Sequence, residues 1–272
     1  MMFSMPLTGK SVRLARLSRP GDGRFLFVPL DHSVSDGPVV SAAGFSGLVK
    51  EIVEGGADAV VVHKGRARMI PPDLLSRCSL VVHLSASTAH ARDTDAKVLV
   101  GDVEEAVRLG ADAVSVHVNV GSDTEAAQLA DLGTVSAACE RFGVPLMAMI
   151  YPRGPRIADP AVPELIAHAA NIAADLGVDI VKTVLAAPAE RMAEVVAASP
   201  LPIVIAGGGD SGREFLALAA TALDAGCSGL AVGRRVFTSP SPEQAVRELA
   251  AIIHGHVLPS GPSPRSQMAG VL

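Results

Sequence analysis

Short runs of apolar, mostly β-branched residues recur along the chain, and Ala-rich segments with apolar residues at helical spacing separate them. The apolar runs predict strands at residues 25–30, 58–63, 79–84, 112–118, 145–150, 179–182, 202–206 and 229–232. The segments between and after them predict helices near residues 44–55, 71–77, 102–109, 123–142, 160–176, 188–198, 211–225 and 242–254. The chain is therefore predicted to alternate strand and helix eight times.

Four of the predicted junctions share one design, in which a glycine follows a helix and an apolar strand begins one or two residues later. The stretches are GADAV at 56–60, GADAV at 110–114, GVDIV at 177–181 and GCSGLAV at 226–232. A glycine in this position is typical of a helix C-cap. Because the strands are apolar almost throughout, we expect both of their faces to be buried, as in a parallel sheet with helices outside.

We therefore predict an α/β fold of the closed (β/α)8 TIM-barrel class, formed as a single domain by residues 1–256 with an N-terminal extension. The rival is an open doubly wound sheet, which typically carries G-x-G-x-x-G after its first strand. This chain has PLDHSVSDGP there instead. Residues 97–100 predict an extra short strand inside the third connection, and the Pro-, Ser- and Gly-rich residues 257–272 predict a flexible tail.

The composition argues against a disordered, membrane-spanning, secreted or nucleic-acid-binding protein. Hydrophobic residues make up 49% and charged residues 19% of the chain, which excludes disorder for its body. No apolar stretch is long enough for a transmembrane helix, and the first twenty residues lack the apolar run of a signal peptide, so we expect a cytoplasmic protein. The net charge of -5, without basic clusters that contain aromatic residues, argues against nucleic acid as a partner.

The three cysteines do not form a recognisable motif. Cys78, Cys139 and Cys227 are far apart and show no C-x-x-C spacing, so a disulfide framework or a zinc ribbon is not expected. We predict reduced and mostly buried thiols.

Polar residues stand at the carboxyl ends of all eight predicted strands, where barrel enzymes place their chemistry. They are Asp31 and His32, His63 and Lys64, His83 and Ser85, His117 and Asn119, Tyr151 and Arg153, Lys182 and Thr183, Gly207 and Gly208, and Gly233 and Arg234. Residues from distant parts of the sequence are thus predicted to meet on one rim of the barrel.

Lys182 is the most informative of these residues, because it interrupts the apolar run GVDIVKTVL in a chain with only five lysines. Burial, together with a second cation such as Lys64 in the same mouth, would disfavour its charged form. A neutral amine can attack a carbonyl carbon and form a Schiff base. The alternative is a structural lysine that pairs with Asp31 or another acid across the barrel.

Two further residues are candidates for proton transfer. The phenol of Tyr151 can give and take a proton at the carbon next to an imine. The carboxyl of Asp31 is a candidate acid/base for carbinolamine and hydroxyl protons. The alternatives are an ordinary aromatic of the barrel rim for Tyr151 and a turn or N-cap carboxylate for Asp31.

Two glycine-containing turns predict a phosphate site. AGGGD at 206–210 and VGRR at 232–235 each precede a predicted helix, after strands seven and eight, where many barrels bind phosphate. Glycines let backbone N–H groups approach the phosphate oxygens, and Arg234 can form paired hydrogen bonds with the anion. Simple tight turns are the alternative.

A divalent metal is the other means by which a barrel can run aldol chemistry. His32, His63, His83 and His117, at the ends of the first four strands, could converge on such an ion. Histidines in these positions are more often hydrogen-bonded neighbours of the reacting groups. We therefore predict neither a metal nor another cofactor.

The motifs, taken together, resemble the DeoC/LacD group of class I aldolases, in the branch of the archaeal-type fructose-bisphosphate aldolases and the 2-amino-3,7-dideoxy-D-threo-hept-6-ulosonate synthases. The resemblance is carried by VPLDHSVSDGP, VVHKG, VHLSAST, GADAVSVHVNVGS, PLMAMIYPRGP, ELIAHAANIAADLGVDIVKT, IAGGG and GLAVGRRVF, which lie within residues 11–240. It implies that Lys182 forms the Schiff base, that Tyr151 is the proton donor and that Asp31 is the proton acceptor. It also implies a substrate site lined by His32, Ser33, Val34, Ser35, Lys64, Pro152, Arg153, Gly207, Gly208, Gly233 and Arg234.

Within that branch, VHLSASTAHARDTDAKVLV and YPRGPRI resemble most the bacterial enzymes of secondary metabolism that join dihydroxyacetone phosphate to L-aspartate 4-semialdehyde for aminohydroxybenzoate formation. The alternatives are fructose-bisphosphate cleavage, the hept-6-ulosonate synthase reaction, or a barrel that binds phosphosugars without turnover. The chain departs from the family after the lysine, where Leu185, Ala186 and Ala187 replace a Tyr-Thr-Gly-like segment. Relatives form rings of five, often paired into decamers, which implies a homo-oligomer.

Overall fold

The computed structural model describes residues 8–18, 20–207 and 213–255, and in these ranges ten strands form. Eight of them are parallel and close into a barrel. The strands are β1 Phe25–Pro29, β2 Ala59–Val62, β3 Ser79–His83, β4 Ser85–Ala86, β5 Val98–Leu99, β6 Ala113–Val120, β7 Leu146–Pro152, β8 Ile180–Thr183, β9 Ile203–Ala206 and β10 Gly229–Ala231.

The helices fill the connections between the barrel strands. They are α1 Gly9–Leu17, α2 His32–Ser35, α3 Phe45–Glu54, α4 Lys64–Ala67, α5 Pro72–Leu75, α6 Val103–Arg108, α7 Glu125–Phe142, α8 Pro163–Asp175, α9 Met192–Ala198, α10 Arg213–Asp224, α11 Arg234–Phe237 and α12 Pro242–Gly255, with 3-10 turns at Ala42–Gly44 and Ala189–Arg191. None of the described helices is both long enough and apolar enough to cross a membrane.

The predicted barrel is confirmed, with each strand within two residues of its predicted bounds. The barrel order is β1, β10, β9, β8, β7, β6, β3, β2, so every strand pairs with its neighbours in the alternation and the first closes on the last. The extra strand predicted at 97–100 is β5, which pairs antiparallel with β4 in a hairpin outside the barrel. The boundary at residue 256 and the tail 257–272 lie outside the described residues.

The side chains of each strand divide between two cores. Alternate residues fill the barrel interior, among them Phe27, Val61, Val81, Met147 and Ile180. Their neighbours pack outward against the helices. This double burial explains why the strands are apolar almost throughout. At the carboxyl ends of the strands, the inward alternation continues into polar residues, and these line the cavity described below.

The glycine junctions predicted from the sequence are present, and an aspartate reinforces three of them. Gly56 has φ of +96°, a conformation that side chains with a Cβ rarely adopt. Asp58, Asp112 and Asp179 follow such glycines, and each accepts a hydrogen bond from a backbone N–H of the preceding barrel strand, at 2.7, 3.1 and 2.8 Å. The repeated motif thus joins neighbouring strands at the amino end of the barrel.

Helix α1 was missed by the sequence analysis, and it lies across the amino end of the barrel. Thr8 caps it by accepting a hydrogen bond from the Ser11 N–H. Leu17 is fully buried and joins the interior core of the barrel. Lys10 pairs with Asp179 at 3.2 Å and Arg16 with Asp112 at 3.3 Å. Leu14 packs against the same core, so α1 presents a short apolar face to the barrel in a segment whose other residues are mostly polar.

Candidate active site

A cavity of about 830 Å³ opens at the carboxyl ends of the barrel strands. Its wall contains most of the predicted site residues that fall within the described part of the chain. They are Asp31, His32, Val34, Ser35, His63, His83, Ser85, His117, Tyr151, Arg153, Lys182, Gly207, Gly233 and Arg234. The apolar segment 185–187 lies in the same wall. The alternation of side chains along the strands therefore gathers distant residues into one site.

Lys182 lies deep in this cavity, with 7% of its surface exposed. It pairs in register with Met149 of β7 and Val204 of β9, and its Nζ lies 3.6 Å from the Met149 Sδ. In the described ranges, no carboxylate oxygen lies within 4.0 Å of Nζ. The ion pair with Asp31, considered above as the alternative role, is not formed, and the amine faces the cavity.

Three residues predicted to bind the substrate do not line the cavity, and a fourth lies outside the described residues. Lys64 does not line the cavity, since its Nζ donates to Glu105 Oε2 at 2.8 Å. His63 takes the inward position at the end of β2, and the next residue is therefore directed away from the barrel axis. Ser33 and Pro152 are likewise absent from the wall. Gly208 lies outside the described residues.

Asp31 carries a negative charge among histidines. Its carboxylate lies 3.4 Å from His32 Nδ1 and 3.9 Å from His83 Nε2. Burial by itself would raise the pKa of Asp31, but the opposing influence of His83, Lys182, His32 and His63 holds it below the ordinary value. Asp31 is therefore ionised at neutral pH and can accept a proton.

His83 and His117 are neutral at the same pH because they are buried. Burial lowers the pKa of His83 to about 4, although the charge of Asp31 opposes the shift, and its Nδ1 lies 2.9 Å from Ser115 Oγ. Burial, reinforced by the charge of Lys97, also places the pKa of His117 well below its ordinary value. Its Nε2 hydrogen-bonds to Asn119 Oδ1 at 2.9 Å. These histidines are thus fixed in neutral, hydrogen-bonded states.

The four strand-end histidines do not gather around one point. Besides the contacts above, His63 Nδ1 lies 3.1 Å from the His83 carbonyl, and the His32 ring contacts Phe237 with 5.2 Å between centroids. Over the described residues, the His, Cys, Asp and Glu side chains form no group of three or more with a geometry suited to a metal ion.

Tyr151 lies beside Lys182 on the neighbouring strand, two residues beyond Met149, and is 7% exposed. Its ring lies 5.1 Å from that of His117, and the Arg153 guanidinium stands 5.5 Å above it. The Tyr151 ring therefore packs between His117 and Arg153 in the cavity wall, beside the strand that carries Lys182.

The described starts of the two predicted phosphate turns, Gly207 and Gly233, lie at the ends of the adjacent strands β9 and β10. Gly233 leaves no room for a side chain, since a Cβ there would lie 2.7 Å from both His32 Cε1 and the Pro29 carbonyl oxygen. Gly207, Gly233 and Arg234 line the wall. The remainder of the first turn, residues 208–210, lies outside the described residues.

Three charged residues of the cavity wall, Asp36, Asp95 and Lys97, were missed by the sequence analysis. Asp95 and Lys97 belong to the β4–β5 hairpin and reach the wall from above the barrel. The only sequence signal was the short apolar run at 97–100, which predicts the strand and not the position of its first side chain.

Comparisons with known proteins agree with this geometry. The family model for DeoC/LacD family aldolase matches residues 25–239. A 2-amino-4,5-dihydroxy-6-oxo-7-(phosphonooxy)heptanoate synthase of Streptomyces griseus is 49% identical over 247 residues, covering 90% of each chain. A 2-amino-3,7-dideoxy-D-threo-hept-6-ulosonate synthase of Archaeoglobus fulgidus is 40% identical over 257 residues, covering 94% of each chain.

A similar solved structure is that of a Schiff-base-forming fructose-1,6-bisphosphate aldolase, with a TM-score of 0.81 and 27% identity. The superposition covers 89% of this chain and 99% of that one. The sequence therefore relates the chain to DeoC/LacD family aldolases and to these synthases, and the structure relates it to a Schiff-base-forming aldolase.

Proposed function

This chain belongs to the DeoC/LacD aldolase family, and from that premise we propose that Lys182 is the lysine that bonds to the substrate as a Schiff base. The chain is a class I aldolase, like its Schiff-base-forming structural relative. The observation that carries the assignment is the position of Lys182, a buried lysine without a carboxylate partner in the described residues, at the cavity.

The Streptomyces griseus relative is named after its product, and the structure of that product indicates which two substrates an aldol reaction would join. An aldol reaction forms the bond between the carbon next to a ketone and the carbon of an aldehyde. In a 2-amino-4,5-dihydroxy-6-oxo-7-(phosphonooxy)heptanoate the ketone is carbon 6, so the new bond joins carbons 5 and 4. Breaking it gives dihydroxyacetone phosphate and L-aspartate 4-semialdehyde. We propose these two molecules as donor and acceptor for this enzyme.

The first half of the reaction activates the donor. The Lys182 amine attacks the ketone carbon of dihydroxyacetone phosphate, and the resulting carbinolamine loses water to give a protonated imine. The imine makes the adjacent C–H acidic, and Tyr151 or Asp31 removes that proton to leave an enamine. The charge of Asp31 suits it to accept protons, and the phenol of Tyr151 suits it to donate them.

The second half forms the carbon–carbon bond. The enamine carbon attacks the aldehyde carbon, the aldehyde oxygen takes up a proton, and water then attacks the imine carbon to release the product and the lysine. Gly207, Gly233 and Arg234 would hold the phosphate of the donor, because backbone N–H groups and a guanidinium suit that anion. The phosphate and the reacting ketone would thus be fixed before the aldehyde enters.

Borohydride reduction tests the assignment of Lys182. Incubation with dihydroxyacetone phosphate and borohydride should leave one covalent adduct, which peptide mass spectrometry should locate at residue 182. Lys182→Met should lose the adduct and lower kcat by a factor on the order of 10³ or more. Lys50→Met, at an exposed lysine of α3, is the matched control. An adduct on another lysine would overturn the assignment.

The choice of acceptor is tested separately. The hept-6-ulosonate synthase relative and the fructose-bisphosphate aldolase structure make their substrates the rivals. Coupled assays with L-aspartate 4-semialdehyde and with glyceraldehyde 3-phosphate should favour the former. We also propose that the enzyme acts in the cytoplasm as a homo-oligomer, a pentamer or decamer by resemblance to its family. Analytical ultracentrifugation that gave a monomer would contradict this state.

A further inference from the structure

The acceptor proposed above carries a carboxylate and an ammonium group on one carbon, and the described cavity has charged residues beyond those that the reaction uses. The phosphate residues lie at the ends of β9 and β10. In the barrel order, β3 and β6 are diametrically opposite these two strands. The β4–β5 hairpin connects β3 to β6, so Asp95 and Lys97 lie on the far side of the cavity from the phosphate residues.

The Lys97 ammonium uses only one of its three N–H donors within the described residues. Its Nζ donates to the Thr94 carbonyl at 2.7 Å, and no carboxylate oxygen of the described residues lies within 4.0 Å. An ammonium has three N–H donors, so two remain for a ligand. Asp93 and Asp95 act on Lys97 electrostatically from a greater distance, while burial and the nearby Arg153 lower its pKa. Lys97 and Arg153 both line the cavity, and two cations in one wall suit an anionic group of a ligand.

The hairpin is held in place by a buried amide pair. The Asp95 carbonyl accepts hydrogen bonds from Asn119 Nδ2 at 2.8 Å and from Gln128 Nε2 at 3.0 Å. Gln128 Oε1 in turn accepts from the Asn119 N–H at 2.8 Å, and both amide side chains are almost fully buried. Asp93 closes the turn before this point by accepting from the Asp95 N–H. The backbone at Asp95 is therefore fixed by Asn119 of β6 and Gln128 of α7.

We propose that the β4–β5 hairpin recognises the acceptor as an α-amino acid, with Lys97 and Arg153 binding its carboxylate and Asp95 binding its ammonium group. The inference rests on the proposed aldol function and goes beyond it by assigning the residues that select the acceptor. Opposite charges two residues apart match the opposite charges on one carbon of the ligand. An uncharged aldehyde gains nothing from this arrangement.

The test compares acceptors that differ by one charged group. Initial rates with dihydroxyacetone phosphate are measured for L-aspartate 4-semialdehyde, for succinate semialdehyde, which lacks only the ammonium group, for uncharged butanal, and for glyceraldehyde 3-phosphate. The wild-type enzyme should show the highest kcat/KM with the first. Asp95→Asn should lower the kcat/KM ratio of the first to the second aldehyde about tenfold or more.

Lys97→Met should lower the kcat/KM ratio of succinate semialdehyde to butanal by about tenfold to a hundredfold. Lys50→Met is the control for the loss of a lysine. Unchanged ratios in both variants would overturn the proposal, as would a wild-type enzyme without preference for carboxylate-bearing acceptors, or a Lys97→Met variant whose main loss is with glyceraldehyde 3-phosphate.

Borohydride trapping separates this proposal from the one on which it rests. Trapping of the donor at Lys182 needs no acceptor. If trapping succeeds and the ratios do not change, only the hairpin assignment fails. If trapping fails in the wild-type enzyme, the Schiff-base function fails as well.

Discussion

Met149 and Lys182 pair in register on neighbouring strands, and the Lys182 Nζ lies 3.6 Å from the Met149 Sδ. A thioether is a weak acceptor and carries no charge. The lysine therefore has a neighbour on this side that cannot neutralise it, and its amine stays available to a carbonyl in the cavity. This relationship separates a candidate nucleophile from a structural lysine, which would have a carboxylate in the same place.

Met149→Glu should give Lys182 a carboxylate partner, as a structural lysine has. The new carboxylate would pair with Lys182 and keep it protonated, so kcat and the yield of borohydride adduct should fall at least about a hundredfold. Met149→Leu, of similar volume, should keep most of both. Near-UV circular dichroism of each variant checks that the barrel is intact. Full activity of a folded Met149→Glu enzyme would refute the role given to this neighbour.

Gly233→Ala should weaken binding of the phosphorylated donor. A Cβ would meet His32 Cε1 and the Pro29 carbonyl oxygen at 2.7 Å, so the turn must move. We expect the KM for dihydroxyacetone phosphate to rise about tenfold or more, as for the loss of a hydrogen bond to a charged group. Gly47→Ala, where nothing lies within 4 Å, is the matched control. An unchanged KM would remove Gly233 from the phosphate site.

Acid should destabilise the fold through His83. Burial lowers the pKa of His83 to about 4 in the folded protein, against the ordinary value of 6.5. The unfolded chain therefore binds a proton first as the pH falls, and the free energy of unfolding decreases from pH 6.5 down to about 4, by roughly 3 kcal/mol from this group. Urea titrations across this range should show a shallower decrease for His83→Gln. Replacement of the exposed His90 should leave the slope as it is.

The thiols should be unreactive in the native enzyme. Cys78, Cys139 and Cys227 are buried, and burial raises the pKa of both Cys139 and Cys227 to about 12. Since the thiolate is the reactive form, a thiol reagent at pH 8 should label these positions only after denaturation. Rapid labelling of the native protein would contradict their burial.

Leu17→Ala should show how much α1 contributes to stability. Leu17 is fully buried against the interior of the barrel, so truncation should cost about 2–5 kcal/mol in the free energy of unfolding. Val12→Ala, on the exposed side of the same helix, should cost far less. Equal effects of the two changes would show that α1 does not close the barrel in solution.

The sequence by itself determined the barrel and the core of its site. Strands that are apolar on both faces can be buried only between helices and a barrel interior, and the period of two then fixes which strand-end residues point inward. Asp31, Tyr151 and Lys182 follow from that periodicity, because each continues the inward-facing series of its strand.

Only the tertiary structure decided the positions of residues and elements that lie outside the barrel strands. Lys64 stands one residue beyond the last inward position of its strand and pairs with Glu105, whereas Lys97 reaches the cavity from a hairpin outside the barrel. Helix α1 is held by a short apolar face, Leu14 and Leu17, together with ion pairs to the distant Asp112 and Asp179. A local pattern fixes the direction of a side chain within its element, but the position of a loop or a terminal helix depends on partners far away in the sequence.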